Sequence, residues 1–114
     1  MESTPEDRLA VILKAYSIAR DQQDNDIAEA ESDEQADAIR SNLASLHLAY
    51  LRAERSQLDA SGAGVENAYQ AAQAATADVA RAYRQGVALA DRIRAVAGAV
   101  TAVASLAAKA AALA

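Results

Sequence analysis

The second half of the chain carries one unbroken pattern of mostly small apolar side chains. These residues alternate at steps of four and three: Val65, Tyr69, Ala72, Thr76, Val79, Tyr83, Gly86, Ala90, Ile93, Ala97, Val100, Ala104, Ala107 and Ala111. Such steps keep successive side chains on one side of an α-helix. The spacing therefore predicts a single long helix, helix B, over about residues 65–114.

The first half of the chain repeats a similar spacing with larger side chains. Residues 4–7, Thr-Pro-Glu-Asp, combine a capping threonine with a proline that suits the first helical position. Apolar residues then follow at steps of three and four over 9–19, and again over 36–53. Together these segments predict helix A over about residues 5–59.

The acidic segment between these two apolar stretches leaves the continuity of helix A open. Asp-Asn-Asp at 24–26 has side chains that compete for backbone hydrogen bonds, and Ser-Asp-Glu-Gln at 32–35 can cap a new helix. Both features favour a kink or break within 24–33. A continuous but weakened helix accounts for the pattern equally well.

The overall composition indicates few and long elements. The chain has 114 residues with no cysteine, one proline and four glycines, two of which lie in a predicted loop at about 60–64. We therefore predict an all-α fold with a single domain over 1–114. Helix A would fold back on helix B as a long antiparallel hairpin, which brings the acidic residues of 21–37 across from Arg92 and Arg94.

The C-terminal part of helix B predicts self-association. From Ala95 onward the apolar residues surround the helix, and Lys109 is the one charged residue. A helix that is apolar on all sides is enclosed by protein or by lipid, and one hairpin cannot enclose it. Several hairpins would form a four-helix or larger bundle. The predicted self-association surface consists of Val96, Val100, Val103, Leu106 and Leu113 of helix B with Leu9, Ile12 and Tyr16 of helix A.

The charge distribution argues against nucleic acid as a partner. The net charge is −5, and residues 1–38 hold eleven acidic side chains against three basic ones. Binding to nucleic acid requires a basic surface that neutralises phosphates. The predicted acidic patch, either a solvated face or a docking site for a basic partner, consists of Asp21, Asp24, Asp26, Glu29, Asp33 and Glu34.

Residue types that carry chemistry are sparse. His47 is the one histidine, and without cysteine it has no partners for a common zinc site. Asp24 and Asp26 have the spacing of the first two ligands of a calcium loop, but Ala28 occupies the third position. No nucleophile, base and acid form a catalytic set. We expect no catalytic residues, no metal and no cofactor.

Three functional hypotheses follow. The first is a non-enzymatic, self-associating helical scaffold, adaptor or assembly subunit. The second is a membrane-interacting or leaderless-secreted protein that places 95–114 against lipid, a segment long enough to span a bilayer but poor in large apolar side chains. The third is an acidic adaptor or chaperone-like binder of a basic partner. The acidic start lacks the basic region of a signal peptide, which predicts a cytoplasmic location, with membrane association and leaderless secretion as alternatives.

Overall fold

Four α-helices make up the fold in the computed structural model, which describes residues 2–111. They are α1 (Pro5–Glu29), α2 (Asp33–Ser56), α3 (Ala63–Gln85) and α4 (Leu89–Ala110), and no strand occurs in the described range. The all-α prediction is confirmed. Each of the two predicted long helices is divided into two.

Helix A is interrupted within the predicted segment 24–33. α1 ends at Glu29 and α2 begins at Asp33. The Ser32 hydroxyl accepts a hydrogen bond from the Gln35 backbone N–H at 3.1 Å, and the Gln35 side chain accepts one from the Glu31 N–H at 2.8 Å. The first bond satisfies an N–H of the first helical turn that has no partner inside the helix, and the second ties the residue before the cap to the same turn. Of the two alternatives, the structure shows the break.

Helix B is also interrupted, and the prediction of one continuous helix over 65–114 is wrong at this point. α3 ends at Gln85, and Gly86 takes the left-handed conformation with φ of 65°. The Gly86 N–H donates to the Tyr83 carbonyl at 3.2 Å, and the Val87 N–H donates to the Ala82 carbonyl at 3.3 Å. This bonding pattern is a Schellman motif, in which glycine adopts the positive φ at little steric cost.

The four helices form two hairpins that pack into a bundle. α1 packs on α2 and α3 packs on α4, each pair joined by a short turn and therefore antiparallel. α4 also packs beside α2, and α1 contacts both α3 and α4. In the described part of the chain α2 and α3 do not contact each other, so the segment 57–62 crosses the end of the bundle diagonally. The predicted single hairpin of helix A on helix B is not confirmed, because both of its arms fold back on themselves.

The core explains why the regular spacing of helix B does not describe one continuous buried face. Its largest fully buried side chains are Ile12, Leu46, Leu58, Val79, Val103 and Leu106. In α3 the predicted positions Ala72, Thr76 and Val79 are buried, as the spacing requires. In α4 the predicted positions Ala97 and Ala104 are exposed. The turn at 86–88 therefore changes which face of the following helix meets the core.

Much of the predicted self-association surface lies inside a single chain. Ile12, Val103 and Leu106 have no exposed surface, and Val96 is 6% exposed. A single chain covers these four side chains, contrary to the prediction, because the α3–α4 hairpin docks on α1 and α2. Leu9, Tyr16 and Val100 are partly buried. Leu113 lies outside the described residues.

Candidate functional site

An open groove lies between α2 and α4, which run in the same direction. A cavity of about 360 Å³ occupies one end of the groove and one of about 380 Å³ occupies the other. The first is lined by Ser45, Leu48, Ala49, Arg52 and Ser56 of α2 with Val100, Ala104, Ala107, Ala108 and Ala111. The second is lined by Ser32, Glu34, Gln35 and Ala38 with Ala90 and Ile93 of α4. We call this feature the α2–α4 groove.

Small side chains on α4 create the groove. Its α4 wall includes Ala90, Ile93, Val100 and Ala104, and Ala111 follows at the end of α4. All five are members of the regular spacing that predicted helix B. Alanine fills little of the space between two neighbouring helices, so the groove stays open toward solvent. Between the two cavities the Asn42 side-chain amide of α2 donates a 3.3 Å hydrogen bond to the Ile93 carbonyl. In α4 the regular spacing therefore marks the lining of an open groove, whereas in α3 it marks the core.

The groove has a polarised rim. Leu48, 48% exposed, lines the first cavity, and Leu51 is also exposed on the same helix. Arg52 lines the end of the groove nearest the C-terminus of α2, where Arg55 is exposed as well. Glu34 lines the opposite end. The α2 side of the groove thus carries an exposed leucine between an acidic end and a basic end.

One residue of the predicted acidic patch is buried, whereas the other five are exposed. Asp21, Asp24, Glu29, Asp33 and Glu34 are exposed, divided between α1 and the start of α2. Asp26 is 4% exposed and belongs to the interior. The Arg92 guanidinium donates a 2.6 Å hydrogen bond to the Glu29 carboxylate, as the predicted proximity of the acidic segment to Arg92 requires. Arg94 instead pairs with Asp91, one turn earlier in α4, at 3.1 Å.

A buried polar cluster joins the ends of α1 and α3 to the start of α4. The Tyr83 hydroxyl donates to the Asp26 carboxylate, and the Arg92 guanidinium lies 5.5 Å from the centre of the Tyr83 ring and 3.7 Å from Asp26. Burial raises the pKa of Asp26 above its ordinary value, against the lowering effects of Tyr83 and Arg92. Burial, followed by the hydrogen bond to Asp26, also raises the pKa of Tyr83. Since these partners come from three helices, the cluster holds the two hairpins together.

The raised pKa of Tyr83 predicts a pH dependence of stability. The folded state holds the phenol proton of Tyr83 more tightly than the unfolded state, in which tyrosine ionises at about pH 10. This stabilisation is fully present below about pH 10 and is lost as the pH rises further. We expect the free energy of unfolding to fall less steeply above about pH 10 in Tyr83→Phe than in the wild type. Urea unfolding across this range measures the two slopes, and equal slopes would contradict the prediction.

Aromatic rings cover the junction of α1 and α2. The Tyr16 ring stacks on His47 with centroids 5.0 Å apart and on Tyr50 at 5.8 Å, and the Arg20 guanidinium lies 5.5 Å from the Tyr16 centroid. Tyr16, predicted for the self-association surface, therefore packs against residues of its own chain. Across residues 2–111, no group of three or more His, Cys, Asp or Glu side chains is arranged to hold a metal ion.

A second buried polar network, which the sequence pattern did not predict, lies at the other end of the bundle. Arg8 is 2% exposed, and its guanidinium donates to the Leu58 and Ala60 carbonyls, both at 2.7 Å. It also donates to the Ser3 hydroxyl at 2.8 Å and the Glu66 carboxylate at 3.0 Å. The Ser3 backbone N–H and hydroxyl donate to Glu66 as well, and these bonds, with Arg8, lower the pKa of Glu66.

The Arg8 network stabilises an unusual turn. Gln57 and Leu58 both have positive φ, at 63° and 55°, a conformation that side chains other than glycine rarely adopt. Leu58 is nevertheless 1% exposed and belongs to the core. The Ala60 N–H donates to the Ala110 carbonyl at 3.1 Å, which ties the same segment to the end of α4. Arg8 and Ala110 therefore secure the crossing from one hairpin to the other.

One helix in the described range is long and apolar enough to cross a membrane. It is α4, Leu89–Ala110, with a mean hydropathy of 1.4. Its side chains Val96, Val103 and Leu106 pack in the core of the bundle, and four of its nine exposed positions are alanine. Contact with lipid through the large side chains of α4 would require the bundle to open.

Comparison with protein families, with curated proteins and with solved structures finds no match to this chain. A bundle of four helices does not define an activity, because one fold supports many unrelated functions. The features that can indicate a function are therefore the α2–α4 groove, its exposed leucine and its charged ends.

Proposed function

We propose that this chain is a non-enzymatic helical subunit of a scaffold or assembly, and that it self-associates through the α2–α4 groove. The observation that carries the proposal is that one face holds both an exposed large side chain, Leu48, and a depression lined by alanine. A two-fold contact between identical surfaces requires such self-complementarity, since each surface must supply both the protruding and the receiving parts.

The size of the face suits a stable contact. α2 has 24 residues and α4 has 22, which correspond to lengths of about 33–36 Å at 1.5 Å per residue. Two adjacent helices, each about 10 Å wide, give a footprint of roughly 700 Å². Stable protein interfaces bury about 800 Å² on each partner. The face is therefore of the order that a dimer requires.

The chemistry of the groove favours binding over catalysis. The polar side chains that line the cavity near the C-terminus of α2 are Ser45, Arg52 and Ser56. A serine hydroxyl needs a neighbouring base to act as a nucleophile, and this cavity lining includes neither a histidine nor a carboxylate. Apolar contact surface with a few polar groups at its rim is the usual composition of a protein-binding site.

Substitution of Leu48 tests the proposal. We expect light scattering of the wild type to show a mass that rises with concentration from monomer toward dimer. Leu48→Glu should weaken this association by at least about tenfold, because it places a charge in an apolar contact twice in each dimer. The control is Leu13→Glu on α1, at a leucine that is 39% exposed and outside the groove. A monomeric wild type, or equal effects of the two variants, would contradict the proposal.

A lipid surface is a second candidate for the same region. The length and hydropathy of α4 support it, although Val96, Val103 and Leu106 are already buried in the core. Flotation of the full chain with neutral and with anionic vesicles distinguishes the two functions. Recovery of the chain with vesicles would favour lipid, whereas concentration-dependent association without flotation would favour the protein assembly.

A further inference from the structure

The α2 side of the groove carries a regular line of side chains. At steps of four and three, the line consists of Glu34, Ala38, Ser41, Ser45, Leu48 and Arg52. All of these except Ser41 line one of the two cavities of the groove, and Ser41 is exposed between them. Because such steps follow one face of a helix, the line runs along the groove from its acidic to its basic end.

This line is complementary to its own reverse. About a midpoint at residue 43, the acidic Glu34 lies as far from the centre as the basic Arg52. In the same way, the small Ala38 mirrors the large, 48% exposed Leu48, and Ser41 mirrors Ser45. Beyond the line, the exposed Glu31 and Arg55 repeat the pairing of opposite charge. An antiparallel copy of α2 would therefore place opposite charges next to each other and would place leucine against alanine.

We propose that the second copy docks antiparallel, α2 against α2, with Glu34 of each chain facing Arg52 of the other. This inference rests on the self-association proposed above and specifies its partner, direction and register. Ala38 of each copy receives Leu48 of the other, and the two-fold axis passes near residue 43. Every Glu34–Arg52 contact occurs twice in the dimer because the contact is symmetric.

The charges decide between this arrangement and the parallel one. A two-fold axis along the helices would place α2 of one copy on α4 of the other, with equivalent ends together. The basic end of α2, with Arg52 and Arg55, would then lie near Lys109 at the end of α4. Like charges at close range disfavour association. The antiparallel arrangement places the same arginines beside Glu34 and Glu31 instead.

Charge reversal tests the register with two variants of the full chain. Glu34→Arg places two basic residues opposite each other, and Arg52→Glu places two acidic residues opposite each other. We expect each variant alone to dimerise about tenfold more weakly than the wild type, since each exposed contact is reversed twice. An equimolar mixture of the two should recover wild-type affinity as a heterodimer, because both of its contacts again join opposite charges. The double variant should recover it as a homodimer.

Matched controls separate the register from the change in net charge. Asp24→Arg and Lys14→Glu alter the net charge by the same amounts at exposed positions on α1, outside the groove. Neither these variants alone nor their mixture should change the affinity by more than about twofold. Circular dichroism confirms that each variant is folded before sedimentation or light scattering measures its mass.

The outcomes distinguish this inference from the proposed function. A wild type that stays monomeric overturns both. A wild type that dimerises in a manner sensitive to Leu48→Glu, while the mixture of charge variants shows no recovery, overturns the antiparallel register alone. Recovery in the mixture and in the double variant, without an effect of the control mixture, establishes the register.

Discussion

Replacement of Arg8 by methionine is expected to lower the free energy of unfolding by about 3–5 kcal/mol. Arg8 is buried and donates to the Leu58 carbonyl, the Ala60 carbonyl and the Glu66 carboxylate. Methionine occupies a similar volume but leaves the two carbonyls without this donor and the Glu66 carboxylate with Ser3 alone. An unpaired buried polar group costs more than a hydrogen bond contributes. Leu58, which has a positive φ, also loses the hydrogen bond that holds its carbonyl in place.

Urea unfolding followed by circular dichroism measures this loss. Lys14→Met on the same helix is the control, since Lys14 is exposed, and its effect should remain within about 0.5 kcal/mol. Arg8→Lys should give an intermediate value, because one ammonium group cannot reproduce the forked geometry of the guanidinium. Equal stability of Arg8→Met and Lys14→Met would show that the network contributes little.

Leu106→Ala is expected to lower the free energy of unfolding by about 2–5 kcal/mol. Leu106 has no exposed surface in the core, so its truncation removes buried methyl groups and leaves a cavity. Leu48→Ala serves as the matched control, since Leu48 is 48% exposed in a single chain. Its effect on the unfolding of the monomer should stay within about 0.5 kcal/mol.

The concentration dependence of these two variants separates folding from association. Self-association stabilises the folded state by an amount that grows with protein concentration. The loss in Leu106→Ala should therefore appear already at concentrations where the chain is monomeric, whereas the effect of Leu48→Ala should appear only where it associates. A Leu106→Ala variant that is fully stable but no longer associates would contradict this prediction. It would place Leu106 in the self-association surface that the sequence pattern predicted.

The features that sequence analysis predicted correctly depend on local interactions. Thr4 caps α1 through the N–H of Asp7, and Ser32 caps α2 through the N–H of Gln35, each only three residues away. Such bonds can be read from neighbouring residues. The helical class follows in the same way, from spacing at three and four residues. The break in helix A was thus foreseeable from its capping residues.

The break in helix B was missed because alanine fits several environments. Gly86 stands at a regular position of the spacing, so the pattern runs through it without a visible change of phase. A helix surrounded by alanine can turn almost any face to the core, and the spacing alone does not show which face is chosen. An available signal was the sequence Arg84-Gln85-Gly86, a basic residue followed by glycine, which is typical of a helix end.

The two buried polar networks depend on contacts between distant residues. Arg8 binds the Leu58 carbonyl across 50 positions of the sequence, and Asp26 binds Tyr83 across 57. No spacing within either helix distinguishes these charged residues from exposed ones. Asp26 in particular lies among acidic residues that are exposed, and the packing of α1 against α3 and α4 removes it from solvent.

The parallel directions of α2 and α4 also give the groove an electrostatic orientation. The peptide dipoles of a helix place partial positive charge at its N-terminus and partial negative charge at its C-terminus. Asp33 and Glu34 lie in the first turn of α2, Asp91 lies in the first turn of α4, and Arg55 and Lys109 lie in their last turns. Each of these charges stabilises its own helix. The groove is therefore acidic where both helices begin and basic where both end. This charge gradient, which would direct a second copy, is the one that the helix dipoles already favour.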